Sequence, residues 1–286
     1  MNTISGIGVA LITPFKRDKS IDFNALAKVV ENVINGGSDF LVALGTTAET
    51  PVLNNEEKKS VVKFISEKNS RKLPLIVGVG GNNTEEAVKG VENLYAEADI
   101  VLSVTPYYNK PSQAGLYEHF KTVADASVKP VMLYNVPGRT GVNLSADTCL
   151  KLAEHKNIMG IKEASGNLTQ MGIILRDRPK NFAVLSGDDA LTLPQIAIGA
   201  DGVISVIGNA LPAEFSKMVH LALKGDFESA KHIHLQLIDT IELLFAEGNP
   251  VGVKALMNIK GLIENELRLP LVKASDNLYN KLKQLA

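Results

Sequence analysis

The chain has 286 residues, 45% of them hydrophobic and 21% charged, with a formal net charge of −1. Such a chain carries no basic field to hold nucleic acid or an anionic membrane, so a small-molecule substrate is the better expectation. A single cysteine, Cys149, excludes an intrachain disulfide; with no apolar run near the ~20 residues of a membrane span, and neither the basic start nor the cleavage site of a signal peptide in MNTISGIGVALITPF, a cytoplasmic protein is expected.

In chain order, short apolar stretches recur: VALITPF from residue 9, FLVALGT from 40, LIVGVG from 75, IVLSVTP from 100, VMLYNVP from 131, MGIKEA from 159, AVLSGDD from 183 and GVISVIG from 202. The segments between them read as helices. Phe23 to Asn35 places Phe23, Leu26, Val29, Val30 and Val33 at the 3.6-residue period, and Asn55 to Lys68 carries Val61, Val62 and Ile65 behind a charged opening. This alternation predicts an α/β protein, a (β/α)8 TIM barrel in preference to an open doubly wound sheet. From about residue 213 only helical periods follow, such as Phe227 to Leu244 and Val251 to Ile263, broken by EGNP (247–250) and RLP (268–270). The predicted organisation is a catalytic barrel over residues 1–225 and a small C-terminal all-helical domain over 226–286.

The sixth stretch, IMGIKEASGN at 158–167, sets a lysine inside an apparent strand. Alternation would turn Met159, Ile161 and Glu163 to one face, packed under the helices, and Gly160, Lys162 and Ala164 to the barrel interior. Two readings of Lys162 stand. It is either a structural lysine, paired with a carboxylate or reaching solvent, or a Schiff-base lysine whose neutral amine attacks a carbonyl. The second requires its free pKa near 10.4 to fall by roughly 2 to 3 units, which desolvation in an apolar strand interior can supply.

Catalytic groups of a barrel gather at the C-terminal ends of its strands. There the sequence offers Thr46 and Thr47 in GTTAE, Tyr107 and Tyr108 in TPYYNKP, and Tyr134 in YNVPGRT. Hydroxyls are poor metal ligands, but they can pass the protons that a carbinolamine needs as it gains and loses water. Arg139, two residues past Pro137, offers a planar fork for a carboxylate.

Taken in order, GTTAE, TPYYNKP, YNVPGRTG, GIKEASGN, SGDD and GVISVIGN resemble the dihydrodipicolinate synthase family of the pyruvate-dependent class I aldolases, with similarity running from GVALITPF to NPVGVKALM. The resemblance implies a lyase without cofactor or metal. Pyruvate would form an imine with Lys162, and the derived enamine would condense with L-aspartate 4-semialdehyde in the diaminopimelate route to lysine. It also implies Tyr134 as proton donor and acceptor, and Thr46 as the link to Tyr108, which in the family comes from the neighbouring subunit of a homotetramer built as a dimer of dimers. Thr47, Gly187 and Ile204 would then form the pyruvate site, and Arg139 would bind the semialdehyde carboxylate. Arg139 favours this activity over N-acetylneuraminate lyase or 2-keto-3-deoxygluconate aldolase, which share the lysine and tyrosine.

Positions matching the family's lysine-inhibition site are Thr50, Pro51, Leu53, Asn55, Lys58, Asn82, Glu86 and Tyr107. Asn82, Glu86 and Tyr107 fit that allosteric site, whereas Lys58 and Asn55 depart from sensitive members. A fixed cation near an incoming ammonium predicts weak feedback. Other signals are discounted: GVGGNNTEEA reads as a helix start instead of a nucleotide loop, His232 and His234 do not share a helix face, and Asp188 and Asp189 read as loop hydrogen-bond partners. A barrel that binds a small oxo-acid as a regulator, without catalysis, is the remaining alternative class.

Overall fold

The computed structural model describes residues 4–93 and 96–286. Eight parallel strands close into a barrel: β1 (Gly6–Ala10), β2 (Phe40–Ala43), β3 (Leu75–Gly78), β4 (Ile100–Val104), β5 (Val131–Asn135), β6 (Ile158–Glu163), β7 (Ala183–Ser186) and β8 (Gly202–Ser205), with β8 pairing back to β1. The helices are α1 (Phe23–Asn35), α2 (Asn55–Asn69), α3 (Thr84–Glu92), α4 (Gln113–Ala126), α5 (Pro137–Thr140), α6 (Ala146–Ala153), α7 (Leu168–Asp177), α8 (Thr192–Ala197), α9 (Pro212–Leu223), α10 (Phe227–Phe245), α11 (Val251–Ile259) and α12 (Asp276–Leu285). None of the described helices is long and apolar enough to cross a membrane.

Strands of such a barrel are buried on both faces, which is why they read as continuous apolar runs. Phe40, Val42, Ile76, Leu102, Met132, Leu185 and Ile204 fill the interior. Leu41, Val77, Leu133, Ile161, Val184 and Val203 point outward to the helices. Polar caps start the helices where the sequence changes period. Asp22, Ser112, Ser145, Asn167 and Asp226 accept from amides of their first turns, and Asn54 forms a reciprocal capping box with Glu57. Each such cap contributes about 0.5 to 2 kcal/mol.

Three local expectations need correction. The first strand is Gly6–Ala10, sharing only Val9 and Ala10 with the VALITPF run; beyond the Leu11 amide, which still donates to the Val42 carbonyl, the chain leaves the sheet, and Asn209 Oδ1 accepts from the Ile12 amide at 3.1 Å. Its glycines hide it, yet a Cβ at Gly8 would stand 1.9 Å from the Phe40 ring that plugs the barrel. Second, Met159 packs with the interior cluster and not under the helices, because the β5–β6 register slips between Val131↔Ile158 and Met132↔Gly160. That bulge changes the phase, so Ile158 and Ile161 both face outward while Ile161, Lys162 and Glu163 alternate as expected. Third, the helix from Val251 ends at Ile259 and not at Ile263, closed by the Leu262 amide donating back to the Met257 carbonyl at 3.0 Å.

The C-terminal helices have no core of their own. Leu237, Ile241, Leu244, Val253, Leu256 and Leu282 belong to the same apolar cluster as Val9, Leu41 and Phe215 of the barrel. This packing lays the end of α10 and the turn before α11 over the open end of the barrel.

Candidate active site

Lys162 lies near the end of β6, opposite Tyr134 of β5, and only 6% of it is exposed. Its Nζ sits 4.4 Å from the Tyr134 ring centroid, and among the described residues it has no ion pair or hydrogen bond. The neighbouring carboxylate, Glu163, points the other way. It is buried beneath the helices, accepting from Ser165 N at 2.7 Å, Asn135 Nδ2 at 3.0 Å and Gln170 Nε2 at 3.1 Å. Thus the alternation that turns the lysine inward also turns the adjacent acid away from it.

A cavity of about 360 Å³ opens above Lys162, lined by Thr46, Thr47, Tyr134, Arg139 and Gly187 among others. They come from the C-terminal ends of three strands, the two threonines after β2, Tyr134 and Arg139 at and after β5, and Gly187 after β7. Thr46–Ala48 forms a 3₁₀ turn after β2, whose leading amides lack partners within the turn. Arg139 is carried on α5, a short helix begun by Pro137. Gly187 follows β7, where a Cβ would stand 2.6 Å from Ala164 Cβ and 3.0 Å from Lys162 Cε, so only glycine leaves the lysine its space.

Ile204, 1% exposed, lies in the interior cluster beneath the cavity and not among the residues that line it. Tyr108 is 88% exposed and outside the cavity; its backbone, at φ +73°, is tied by its amide to the Thr140 carbonyl at 3.4 Å. No hydrogen bond joins Tyr134 to Thr46 among the described residues.

A second cavity of about 400 Å³ shares Thr46, Tyr134 and Arg139 with the first and adds Thr50, Pro51, Lys58 and Tyr107. Asn82 and Glu86 do not line it: the Asn82 carbonyl accepts from Asn109 Nδ2 at 3.5 Å, and Glu86 pairs with Lys89 at 3.0 Å. Leu53 is buried, and Asn55 opens α2, capped by Asn54. Asn83 caps α3 as the GVGGNNTEEA reading expects.

The acids after β7 hold loops. Asp188 Oδ1 accepts from the Ala190 amide at 2.9 Å and the Leu191 amide at 3.2 Å; Asp189 Oδ2 accepts from Val206 at 3.0 Å and Ile207 at 2.8 Å. Burial pushes the Asp189 carboxyl up to about 6, opposed by those bonds.

Several residues at the site escaped sequence reading. Glu242 and Phe245 at the end of α10, and Asn249 beyond it, line the cavity. Glu49, two residues past Thr47, forms a buried ion pair with Lys254 of α11, and its other oxygen accepts from the Arg268 amide at 3.0 Å. NPVGVKALM was the available signal for Asn249 and Lys254, but no local pattern connects it to GTTAE.

A (β/α)8 barrel with an unpaired, buried lysine at the reactive end of β6, flanked by tyrosine and threonine hydroxyls and an arginine, belongs to the class of Schiff-base lyases of the class I aldolase type. The chain is a member of the Dihydrodipicolinate synthetase family, which matches residues 3–286. It is 51% identical over 284 residues to the 4-hydroxy-tetrahydrodipicolinate synthase of Parabacteroides distasonis, covering 99% of this chain and 96% of that one. The crystal structure of dihydrodipicolinate synthase from Aquifex aeolicus superposes with a TM-score of 0.95 at 44% identity, covering 99% of this chain and 97% of the other. The chloride-inhibited dihydrodipicolinate synthase from Acinetobacter baumannii, complexed with pyruvate, superposes with a TM-score of 0.95 at 41% identity over 99% and 98% of the two chains.

Proposed function

We propose that this chain catalyses 4-hydroxy-tetrahydrodipicolinate synthesis, condensing pyruvate with L-aspartate 4-semialdehyde on Lys162. The observation that carries this reading is the unpaired Lys162 amine in a cavity whose lining also includes Tyr134, Thr46, Thr47 and Arg139. The neutral amine adds to the pyruvate ketone, and Tyr134 moves the protons that let the carbinolamine lose water. The imine gives up a methyl proton to become an enamine, whose carbon attacks the aldehyde. The semialdehyde's own amine then adds to the imine carbon and expels Lys162, closing the ring.

Thr47 and the leading amides of its turn bind the pyruvate carboxylate, with Gly187 bringing backbone close and Ile204 closing off the barrel interior beneath the lining residues. Arg139 binds the semialdehyde carboxylate bidentately. Tyr108 serves the site of a second copy, linked to Tyr134 through Thr46; its 88% exposure on a loop tip supports a role completed only in the assembly. The assembly is a homotetramer made of two such dimers, working in the cytoplasm. The division into a catalytic barrel over 1–225 and a helical domain over 226–286 belongs to this proposal as a functional division, since the two share one core.

Borohydride added with pyruvate is expected to increase the mass of the peptide carrying Lys162, and a coupled assay with aspartate semialdehyde to show turnover. Absence of the mass gain would leave the non-catalytic oxo-acid sensor. A mass gain without turnover would point to another aldehyde. For regulation, Lys58 and Tyr107 line the same second cavity, so a lysine ammonium entering it would meet a fixed cation. Weak or absent inhibition by L-lysine is therefore expected, and an inhibition constant in the submillimolar range refutes it.

A further inference from the structure

Asn249, in the turn between α10 and α11, lines the cavity although only 7% of it is exposed. Its Nδ2 donates to Thr47 Oγ1 at 2.9 Å, while its Oδ1 is buried without a partner among the described residues. A hydroxyl that accepts from an amide keeps its own proton for a different acceptor. No bond in which Thr47 Oγ1 donates occurs among the described residues, and Thr47 itself lines the cavity.

We propose that Asn249 is a positioning residue: it fixes the Thr47 hydroxyl as a donor into the cavity, aimed at the carboxylate of the oxo-acid substrate. With the amide reversed, its oxygen would draw the Thr47 proton away from the cavity, and two N–H donors would be buried with nothing to meet. The unpartnered Oδ1 is the consequence of keeping the amide in the productive orientation.

The turn that carries Asn249 is itself held in place. Lys254, fully buried, pairs with Glu49 just beyond Thr47 and donates to the Glu266 carbonyl at 3.0 Å. The GTTAE turn and the 249–254 segment, 202 and 205 residues apart at their two contacts, are therefore joined at both ends. The C-terminal segment thereby enters substrate recognition without touching Lys162. This inference rests on the reading of Thr47 as a carboxylate ligand.

The test compares wild type, N249A, N249D, T47V and N249A/T47V by steady-state kinetics in both substrates, with borohydride trapping and thermal unfolding of each. N249A is expected to raise the pyruvate KM about tenfold, the loss of one hydrogen bond to a charged group, with kcat and the semialdehyde KM within about twofold. N249D should raise it further, since its carboxylate would take the Thr47 proton and face the substrate's carboxylate. The double variant should be no worse than T47V. Multiplicative losses in the double variant overturn the proposal, as does an N249A effect that falls equally on both substrates with a lowered Tm. If wild type is not trapped by borohydride with pyruvate, the Schiff-base reading fails and takes the proposal with it. Trapping in wild type with multiplicative losses overturns the proposal alone.

Discussion

Lys162 and Lys254 are both buried, and each holds its Nζ over an aromatic face, 4.4 Å from the Tyr134 centroid in one case and 4.3 Å from the Phe15 centroid in the other. Their surroundings differ in every other respect. Lys254 has the Glu49 carboxylate and the Glu266 carbonyl, and burial pulls its ammonium down to about 8 against the opposing pull of Glu49. Among the described residues Lys162 bonds to neither a carboxylate nor a carbonyl, and it opens onto a cavity. A buried amine with its bonds satisfied is part of the fold. One left without them beside an empty space is available to a substrate.

The comparison can be broken most directly at its reactive half. K162A should lower turnover by about 10³-fold or more and abolish borohydride trapping, while K162M should keep the wild-type denaturation midpoint or raise it, because no ion pair is lost. A loss above ~1 kcal/mol in K162M would show that this lysine also holds the fold.

The opposite behaviour is expected at the other lysine. K254M should destabilise the protein by roughly 3 to 5 kcal/mol in urea unfolding, because it strands the Glu49 carboxylate in the interior. Replacing both members with apolar residues should recover much of that loss. If K254M costs nothing, the pair is not structural and the contrast collapses.

Asp189 provides the mirror image, a buried acid without a cationic partner among the described residues. Its carboxyl is raised from 3.8 to about 6 by burial, so the folded state holds the proton more tightly than the unfolded chain. That contribution to stability is fully present below about pH 4 and is lost as pH rises through 6. Between about pH 4 and pH 7, wild-type stability should therefore fall relative to D189N by up to about 3 kcal/mol, as read from paired urea titrations. A difference that stays flat with pH would mean that the site is not protonated.

The smallest of these effects sharpens the reactive half. R139A should lower semialdehyde turnover about 100-fold, the loss of a bidentate carboxylate contact, while imine formation with pyruvate stays near wild type. Equal losses in both steps would remove Arg139 from its assigned role.

Much of this contrast could be read in the sequence, but only on one side. The barrel was legible because strands buried on both faces are apolar runs, and the inward face of Lys162 because Ile161, Lys162 and Glu163 alternate regularly. Met159 was not, since its direction depends on how β6 slips against β5, which no window of β6 alone contains. Lys254 passed as an ordinary helix residue for the same kind of reason: its partner lies 205 positions away. Asn249 was invisible as a neighbour of Thr47 because the contact is made by packing α10 over the barrel's open end. Local periodicity predicts faces, and it is silent on which distant segment will cover them.

The slip at Ile158 and Met159 also changes how the lysine's strand would respond to insertion and deletion. In an evenly paired strand, losing one residue turns every side chain beyond it to the other face, which here would put Glu163 in the barrel and Lys162 under the helices. β6 already holds one residue more than β5 needs at that point, so excision of Met159 would restore even pairing and leave the Tyr134–Lys162 register as it is. The start of the strand and its chemical end are thus set separately, and length drift upstream of the bulge need not reach the amine.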